Sequence, residues 1–150
     1  MRLTLYTDYA LRVLIYTGST PGTVTISRIS AAYGISKEHL RKVVHQLSQL
    51  GYITTTQGRN GGIKLGRPAE EINIRDVVQQ FETTMLVECF DNQNNTCPIN
   101  GYCSLKQILG RAQVAFLETL GQYHLSDIVR NPQLQQIFVR QLTGSPVGEG

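Results

Sequence analysis

Apolar residues recur at helical spacing from the start of the chain. Leu11, Leu14 and Ile15 share one face of a helix. They predict a first helix over residues 7–17. Gly18 directly after this segment indicates where the helix ends, because glycine is frequent just past the last helical turn.

Two further helical segments follow, separated by a glycine turn. Thr25 is a favourable N-cap for a short helix over residues 26–33, and Gly34 supplies the positive φ that a tight turn needs. Ser36 then caps a longer third helix. The apolar face of this third helix carries Leu40, Val43, Val44, Leu47 and Leu50. Two helices joined in this way are typical of a helix-turn-helix.

The next segment has the pattern of a β-hairpin. Residues 52–56 are rich in β-branched side chains, residues 58–62 form a turn cluster, and residues 63–65 resume the alternation. A basic hairpin directly behind the recognition helix of a helix-turn-helix is a wing. Pro68 ends this module, and a further helix capped by Asn73 is predicted to pack back onto it.

The second half of the chain begins with a polar loop over residues 89–103. Ser104 is predicted to cap the longest helical pattern of the chain, over residues 105–120. The apolar stripe of this helix is wide enough to face both its own domain and a partner helix. It therefore favours a dimerisation helix, with a core helix inside one chain as the alternative. A last short helix is predicted from Pro132 to about residue 142.

These elements predict a mainly α fold with a small β wing, in which a winged helix-turn-helix domain is joined to a long dimerisation helix. The predicted parts are a DNA-binding domain over residues 1–80, a connecting helix end and cysteine loop over 81–103, a dimerisation helix and C-terminal helix over 104–142, and a flexible tail over 143–150.

Length and composition agree with a single folded domain. The chain has 150 residues, of which 41% are hydrophobic and 17% charged, as in folded globular proteins. No apolar run approaches the roughly 18 residues that span a bilayer. The start of the chain lacks the apolar core and cleavage site of a signal peptide. We therefore expect a cytoplasmic protein with no membrane contact.

Charge divides the chain into two unlike halves. Residues 1–69 hold nine basic and two acidic side chains, a net charge of +7, whereas the remainder holds five basic and nine acidic ones, a net charge of −4. A basic half joined to an acidic half indicates a module that binds phosphates attached to a module with another purpose. Together with the predicted helix-turn-helix and wing, this distribution of charge favours double-stranded DNA as a partner.

The residues expected to contact DNA lie on the outer face of the third helix, on the wing and at the N-terminus. They can reach phosphates and base edges in the grooves, the alternative being ordinary solvated charges. The predicted set is Arg2, Ser36, Lys37, His39, Arg41, Lys42, Arg59, Asn60 and Lys64.

All three cysteines of the chain lie in the polar loop, at the spacing Cys89-x7-Cys97-x5-Cys103. Three cysteines cannot form a closed disulfide framework, and thiolates gathered in one loop need a cation to offset their repulsion. An iron–sulfur cluster suits this wide spacing better than zinc, whose structural sites use closer pairs. Zinc and unligated cysteines remain as alternatives at this point.

Several motifs together resemble a known family. The chain is similar to the IscR and NsrR group of bacterial winged-helix regulators that bind iron–sulfur clusters, and within that group to the nitric-oxide-sensing members. The motifs that carry the resemblance are Leu3-Thr4-x-Tyr6-Thr7-Asp8-Tyr9-Ala10-Leu11-Arg12, Ile35-Ser36-x-x-x-Leu40, Gly58-Arg59-Asn60-Gly61-Gly62, Ile74-x-Asp76-Val77-Val78 and the cysteine loop.

The resemblance implies a ligand set and a signal. IscR-like members have a histidine ligand three residues after the last cysteine, where this chain has Lys106. The nitric-oxide-sensing members resemble this chain in an aspartate near the start of the first helix. The family pattern therefore implies Asp8, donated by the other subunit, as the fourth ligand of a 4Fe-4S cluster. The alternative role for Asp8 is to stabilise the helix dipole by about 0.3 to 1 kcal/mol.

The function expected on this basis is that of a homodimeric DNA-binding repressor that senses nitric oxide through an iron–sulfur cluster, 4Fe-4S in preference to 2Fe-2S. Nitrosylation of the cluster would release the DNA. One alternative is a regulator of the same fold that senses iron–sulfur status or redox state. The other is a small electron-transfer protein, which would leave the basic half unexplained. No catalytic motif indicates an enzyme.

Overall fold

The computed structural model describes residues 2–82, 86–91 and 93–143, apart from the side chains of residues 142 and 143. The predicted tail lies outside the described residues from position 144 onward. The helices of the described chain are α1 Leu5–Ser19, α2 Ile26–Tyr33, α3 Lys37–Gln49, α4 Ile74–Phe81, α5 Ser104–Gly121, α6 Leu125–Val129 and α7 Pro132–Thr143. Its strands are β1 Ile53–Thr56 and β2 Gly62–Leu65. The prediction of a mainly helical fold with a small β wing is confirmed.

Side-chain caps fix the starts of the helices in the first half of the chain. Thr25, Ser36 and Asn73 each accept a hydrogen bond from a backbone N–H in the first turn of the helix that follows, as the sequence predicts. Helix α1 begins earlier than predicted, at Leu5, because Thr4 caps it by accepting the N–H of Thr7 at 3.3 Å.

Helix α1 lies at the centre of the core. Its buried face contacts α3, α4, α6, α7 and β2. The largest fully buried side chains come from both halves of the sequence: Tyr16, Leu14, Ile29, Leu40, Leu47, Ile53, Ile72 and Leu125. The helix-turn-helix is therefore packed on a helix that also touches the C-terminal elements.

An aromatic cluster attaches α7 to the helix-turn-helix. The Phe138 ring lies 4.7 Å from the Tyr16 ring and 5.8 Å from the Tyr33 ring, between centroids. Phe138 is almost fully buried there. Helix α6 adds Leu125 and Val129 to the same core. The C-terminal helices thus pack against α1 and α2.

The wing is anchored at its base to the segment before α2. Val24 and Ile63 exchange two backbone hydrogen bonds, at 3.0 and 2.7 Å. In the turn between the strands, a Cβ on Gly61 would collide with the carbonyl oxygen of Thr56, so only glycine fits. The anchored strands β1 and β2 therefore hold the tip of the hairpin beyond the body of the domain.

Arg67 caps the end of α3 and so is a structural arginine. Its guanidinium donates to the carbonyl oxygens of Gly51 and Leu50 at 3.2 and 2.9 Å and lies 4.8 Å above the Tyr52 ring. These contacts place a positive charge at the negative end of the helix dipole. One of the nine basic residues in the first half is thus used to hold the end of α3.

Replacing Arg67 with methionine is expected to lower the free energy of unfolding by about 1 to 3 kcal/mol, because two carbonyl groups lose a charged donor. Urea denaturation followed by circular dichroism measures this change. Arg59→Met is the control, since Arg59 is exposed at the wing tip and its loss should change stability by less than about 0.5 kcal/mol. Equal effects of the two substitutions would show that the Arg67 cap is not stabilising.

Helix α5 contributes no fully buried residue to the described chain. It packs on α4, while Leu105, Ile108 and Val114 remain 58%, 60% and 54% exposed. The alternative of a core helix inside one chain therefore does not hold for this helix. Its role in dimerisation stays a prediction. None of the helices in the described part of the chain is long and apolar enough to cross a membrane.

Candidate DNA-binding surface and cysteine loop

The outer face of α3 begins with an ordered pair of polar side chains. The Ser36 hydroxyl accepts the N–H of His39 at 3.2 Å and lies 3.0 Å from Nδ1 of the same residue. The His39 ring in turn lies 6.2 Å from the Tyr9 ring, so the start of α3 is packed beside the first half of α1. Both Ser36 and His39 nevertheless remain exposed to a ligand in front of the helix.

Three basic side chains extend from the same helix. Lys37, Arg41 and Lys42 are all exposed. The Lys42 ammonium lies 3.6 Å from the Glu38 carboxylate, one turn earlier. An exposed ion pair of this kind contributes little to stability, so a phosphate can replace Glu38 as the partner of Lys42 at small cost.

The wing and the N-terminus supply the remaining predicted contacts. Arg59 and Asn60 lie at the exposed hairpin tip, and Lys64 lies in β2 opposite Thr54 of β1. Arg2 is exposed ahead of α1. All nine residues predicted to contact DNA are therefore accessible, whereas Arg67 is engaged within the chain.

Asp8 lies in the first turn of α1 and is paired within its own helix. Its carboxylate accepts a hydrogen bond from Nε of Arg12 at 2.9 Å, and its side chain is 39% exposed. The Arg12 guanidinium also lies 5.5 Å from the centre of the Tyr33 ring. Burial raises the pKa of Tyr33 to about 12, so this phenol stays neutral beside the ion pair. To act as a metal ligand, the Asp8 carboxylate must either give up its ion pair with Arg12 or bind the metal and Arg12 at the same time.

The three cysteines are free and half-buried. Two hydrogen-bonded ties shape the loop around them. The Glu88 carboxylate accepts from the hydroxyl and the backbone N–H of Thr96, at 2.7 and 3.1 Å, and so joins the residues that precede Cys89 and Cys97. The Lys106 ammonium donates to the Asn100 side chain at 2.8 Å, which joins the loop to the first turn of α5.

Cys103 occupies the N-cap position of α5. The sequence placed this cap at Ser104, and that prediction is wrong, because the helix begins at Ser104 and the preceding residue takes the cap. The Cys103 side chain makes no capping hydrogen bond. A sulfur at a helix N-terminus is near the positive end of the helix dipole.

Two carboxylates add negative charge to this region, Glu88 directly before the loop and Asp91 within it. Hydrogen bonds from the Thr96 hydroxyl and N–H lower the pKa of Glu88. The Asn94 side-chain amide and the Gln93 N–H lower the pKa of Asp91. Both carboxyl groups are therefore ionised at neutral pH. Thiolates formed in this loop need a cation to offset the combined charge.

The described chain alone does not assemble the predicted ligands. Within residues 2–82, 86–91 and 93–143, no three side chains of His, Cys, Asp or Glu gather as a metal site. The donor set nevertheless fits an iron–sulfur cluster in its chemistry, since the thiols are free and the loop needs positive charge. The side-chain Nδ2 of Asn95 is also buried without a hydrogen-bond partner in the described residues, which points to a missing acceptor.

The residues that organise the loop were not among the sequence-predicted site residues. They are Glu88, Asn95, Thr96 and Lys106. The sequence signal for them is weak, because a polar loop contains many Asn, Thr and Glu side chains that could bond in several ways. Only their closeness along the chain to a cysteine distinguishes them, since each lies within three residues of one.

A family model agrees with the elements described above. The model described as "Rrf2: Iron-dependent Transcriptional regulator" matches residues 3–131 of this chain. The match spans the helix-turn-helix, the wing, the cysteine loop and α5.

Curated relatives are similar over most of their length. The "HTH-type transcriptional regulator NsrR" of Oceanobacillus iheyensis is 48% identical over 136 residues, which cover 89% of this chain and 92% of the relative. The protein of the same name from Bacillus subtilis is also 48% identical over 136 residues, covering 89% and 93%.

Solved structures share the fold. The oxidised form of CymR from Staphylococcus aureus superposes with a TM-score of 0.70 at 23% identity, covering 87% of this chain and 98% of that one. Similarity at this level of identity shows the fold alone.

Proposed function

The chain belongs to the Rrf2 family of transcriptional regulators, and on that premise we propose that it is a homodimeric repressor that senses nitric oxide through an iron–sulfur cluster. Its curated relatives are named transcriptional regulators. The chain is therefore a DNA-binding regulator and not an enzyme. The proposed ligands are Cys89, Cys97 and Cys103 with Asp8 from the second subunit, and the proposed cluster is 4Fe-4S in preference to 2Fe-2S.

The exposed face of α3 and the wing support operator binding. The exposed set presents basic side chains and polar donors without internal partners that are costly to replace. We expect α3 to enter the major groove and Arg59 to follow the adjacent minor groove. The regulator is then cytoplasmic and associated with the nucleoid when bound.

The exposed apolar stripe of α5 supports a homodimer. Leu105, Ile108 and Val114 are uncovered in the single chain, and a second copy of the same helix is an apolar partner of matching length. Two-fold pairing would place two recognition helices on two operator half-sites.

The single observation that carries the sensor proposal is the cysteine loop itself. Its three thiols are free and half-buried, and hydrogen bonds tie the residues beside them. An iron–sulfur cluster supplies iron atoms that react with nitric oxide. In this proposal the protein would hold three irons through thiolates and would provide a harder ligand, a carboxylate, for the fourth.

Asp8 is proposed as that weaker ligand. A carboxylate suits iron in a sulfide-rich cluster less well than a thiolate does, so Asp8 would be the protein ligand that is lost first. The Arg12 guanidinium lies 2.9 Å from the Asp8 carboxylate in the single chain. It can pair with this carboxylate again when Asp8 no longer binds iron. Asp8 therefore has a partner in both states.

The end of α4 supports a route from the loop to the DNA-binding elements. The Glu82 carboxylate accepts the N–H of Thr4 at 2.6 Å, ahead of α1. The Phe81 ring lies 5.6 Å from the Tyr6 ring, and the Gln80 carbonyl accepts from Gln46 of α3 at 3.4 Å. A movement of the end of α4 would therefore change contacts with both α1 and α3.

Protein purified without oxygen is expected to carry a broad visible absorbance with about four irons per chain, in keeping with a 4Fe-4S centre. Titration with nitric oxide should bleach this absorbance and release the operator in parallel, as followed by a DNA mobility shift. Exposure to oxygen at the same cluster concentration is the comparison.

Three outcomes would contradict the proposal. A colourless protein with one zinc, or with no metal, would remove the sensor and leave the regulator. Bleaching without loss of operator affinity would separate the cluster from DNA binding. A response to oxygen but not to nitric oxide would favour a redox regulator of the same fold.

A further inference from the structure

The side chain of Asn95 is fixed by one of its two polar ends. Its Oδ1 accepts the backbone N–H of Cys97 at 2.9 Å. Because only the oxygen can accept, the amide cannot be flipped without losing this bond. The Nδ2 group must therefore point away from the Cys97 N–H. In that position it is buried and finds no acceptor among the described residues.

A buried amide donor without a partner is uncommon, because folded proteins pair nearly all such groups. The carboxylates of the loop are already engaged. Glu88 accepts from Thr96, and Asp91 accepts from Gln93 and Asn94. Nδ2 therefore has no acceptor among the described residues, which leaves either a water molecule or a group bound in this loop to accept from it. Asn95 is bonded to the backbone N–H of Cys97, a proposed ligand of the cluster, so a group held by Cys97 is a candidate acceptor.

We propose that Asn95 is a positioning residue that donates a hydrogen bond from Nδ2 to a sulfur atom, thiolate or sulfide, of the iron–sulfur group held by the cysteine loop. This inference rests on the proposed function. One amide then does two things: Oδ1 shapes the backbone at Cys97, and Nδ2 offsets negative charge on sulfur. Hydrogen bonds to sulfur raise the reduction potential of such clusters and help to retain them.

Two substitutions remove the donor and keep an acceptor. Asn95→Asp preserves the shape and the oxygen that accepts the Cys97 N–H. Asn95→Ser keeps a hydroxyl that can accept the same N–H and adds no charge. Gln93→Glu is the matched control, because Gln93 is exposed two residues earlier and the change brings the same charge into the same loop.

The test uses the full chain loaded with its cluster under anaerobic conditions. Transfer of iron to a chelator should be about 10- to 100-fold faster in both Asn95 variants than in the wild type. Gln93→Glu should match the wild type. Resonance Raman bands of the iron–sulfur stretches should shift on transfer to deuterated water in the wild type, and this shift should shrink in both Asn95 variants.

A second readout needs no cluster. In the metal-free protein, hydrogen exchange of the Cys97 amide reports the Oδ1 contact. This amide should stay protected in Asn95→Asp and Asn95→Ser and lose protection in Asn95→Ala. Together the two readouts separate the shaping of the backbone from donation to sulfur.

The inference is overturned if the variants that lack Nδ2 release iron at the wild-type rate and keep the isotope shift. It is also overturned if Gln93→Glu accelerates release as much as Asn95→Asp does and Asn95→Ser has no effect, because charge alone then explains the result. A wild-type chain that takes up no cluster would instead remove the proposed function, and this inference with it.

Discussion

Protein with Cys97 replaced by alanine is expected to hold no iron–sulfur cluster, whereas protein with Asp8 replaced by alanine should hold a cluster that is lost more readily. Cys97 lies in the middle of the loop, and the cysteines before and after it are too far along the chain to take its place. The proposed ligand Asp8 lies on a different element, α1, and would be a weaker ligand, so its loss would leave the three proposed thiolates in place.

Iron and sulfide analysis of anaerobically purified protein, together with the visible spectrum, measures both effects. Ser104→Ala is the control, because Ser104 is exposed and adjoins Cys103 without taking part in the proposed ligand set. Thermal unfolding should show the fold intact in all three variants, since neither Cys97 nor Asp8 belongs to the buried core. Wild-type iron content in Cys97→Ala would exclude this thiol as a ligand.

Local signals in the sequence were sufficient for most of the fold. A hydroxyl or amide before an apolar run fixes where a helix starts, and the caps at Thr25, Ser36 and Asn73 all behave in this way. Gly34 adopts the left-handed conformation, with φ of 66°, that the turn between α2 and α3 requires. Such features depend on a few neighbouring residues, so one sequence is enough to predict them.

Features that depend on distant residues could not be predicted in the same way. Helix α6 is only five residues long, too short for a periodic pattern, and it forms where Leu125 and Val129 meet the core. Arg67 is one basic residue among many until the end of α3 lies beside it. The sequence therefore overestimates how much positive charge is free for DNA.

The candidate site shows the same difference between features set by neighbouring residues and features set by more distant ones. Exposure of the predicted DNA-contacting residues on α3 follows from helical periodicity, because they lie opposite the apolar stripe of that helix. The ties from Glu88 to Thr96 and from Lys106 to Asn100 join residues that are eight and six positions apart in a loop without regular periodicity. No sequence pattern fixes such pairs, so the ordering of the cysteine loop could only be seen in three dimensions.

The affinity of the regulator for its operator is expected to fall about 10³- to 10⁵-fold between 50 and 200 mM salt, because roughly 6 to 10 phosphate contacts each release counterions. In this chain the contacts would come from Lys37, Arg41, Lys42 and Arg59 in each of two subunits. All four side chains are exposed, so each is accessible to a phosphate. Fluorescence anisotropy with a labelled operator, measured across a salt series, gives the slope of the logarithm of affinity against that of salt concentration.

Single substitutions then apportion that slope. Arg41→Gln should reduce it by about one unit for each phosphate that the side chain no longer neutralises, and should weaken binding at low salt. Arg130→Gln is the control, since Arg130 pairs with Glu70 near the end of α6, outside the predicted surface, and should leave the slope unchanged. Equal slopes for wild type and Arg41→Gln would remove Arg41 from the phosphate-binding set. A flat salt dependence of the wild type would instead mean that the basic face of α3 and the wing does not bind the DNA backbone.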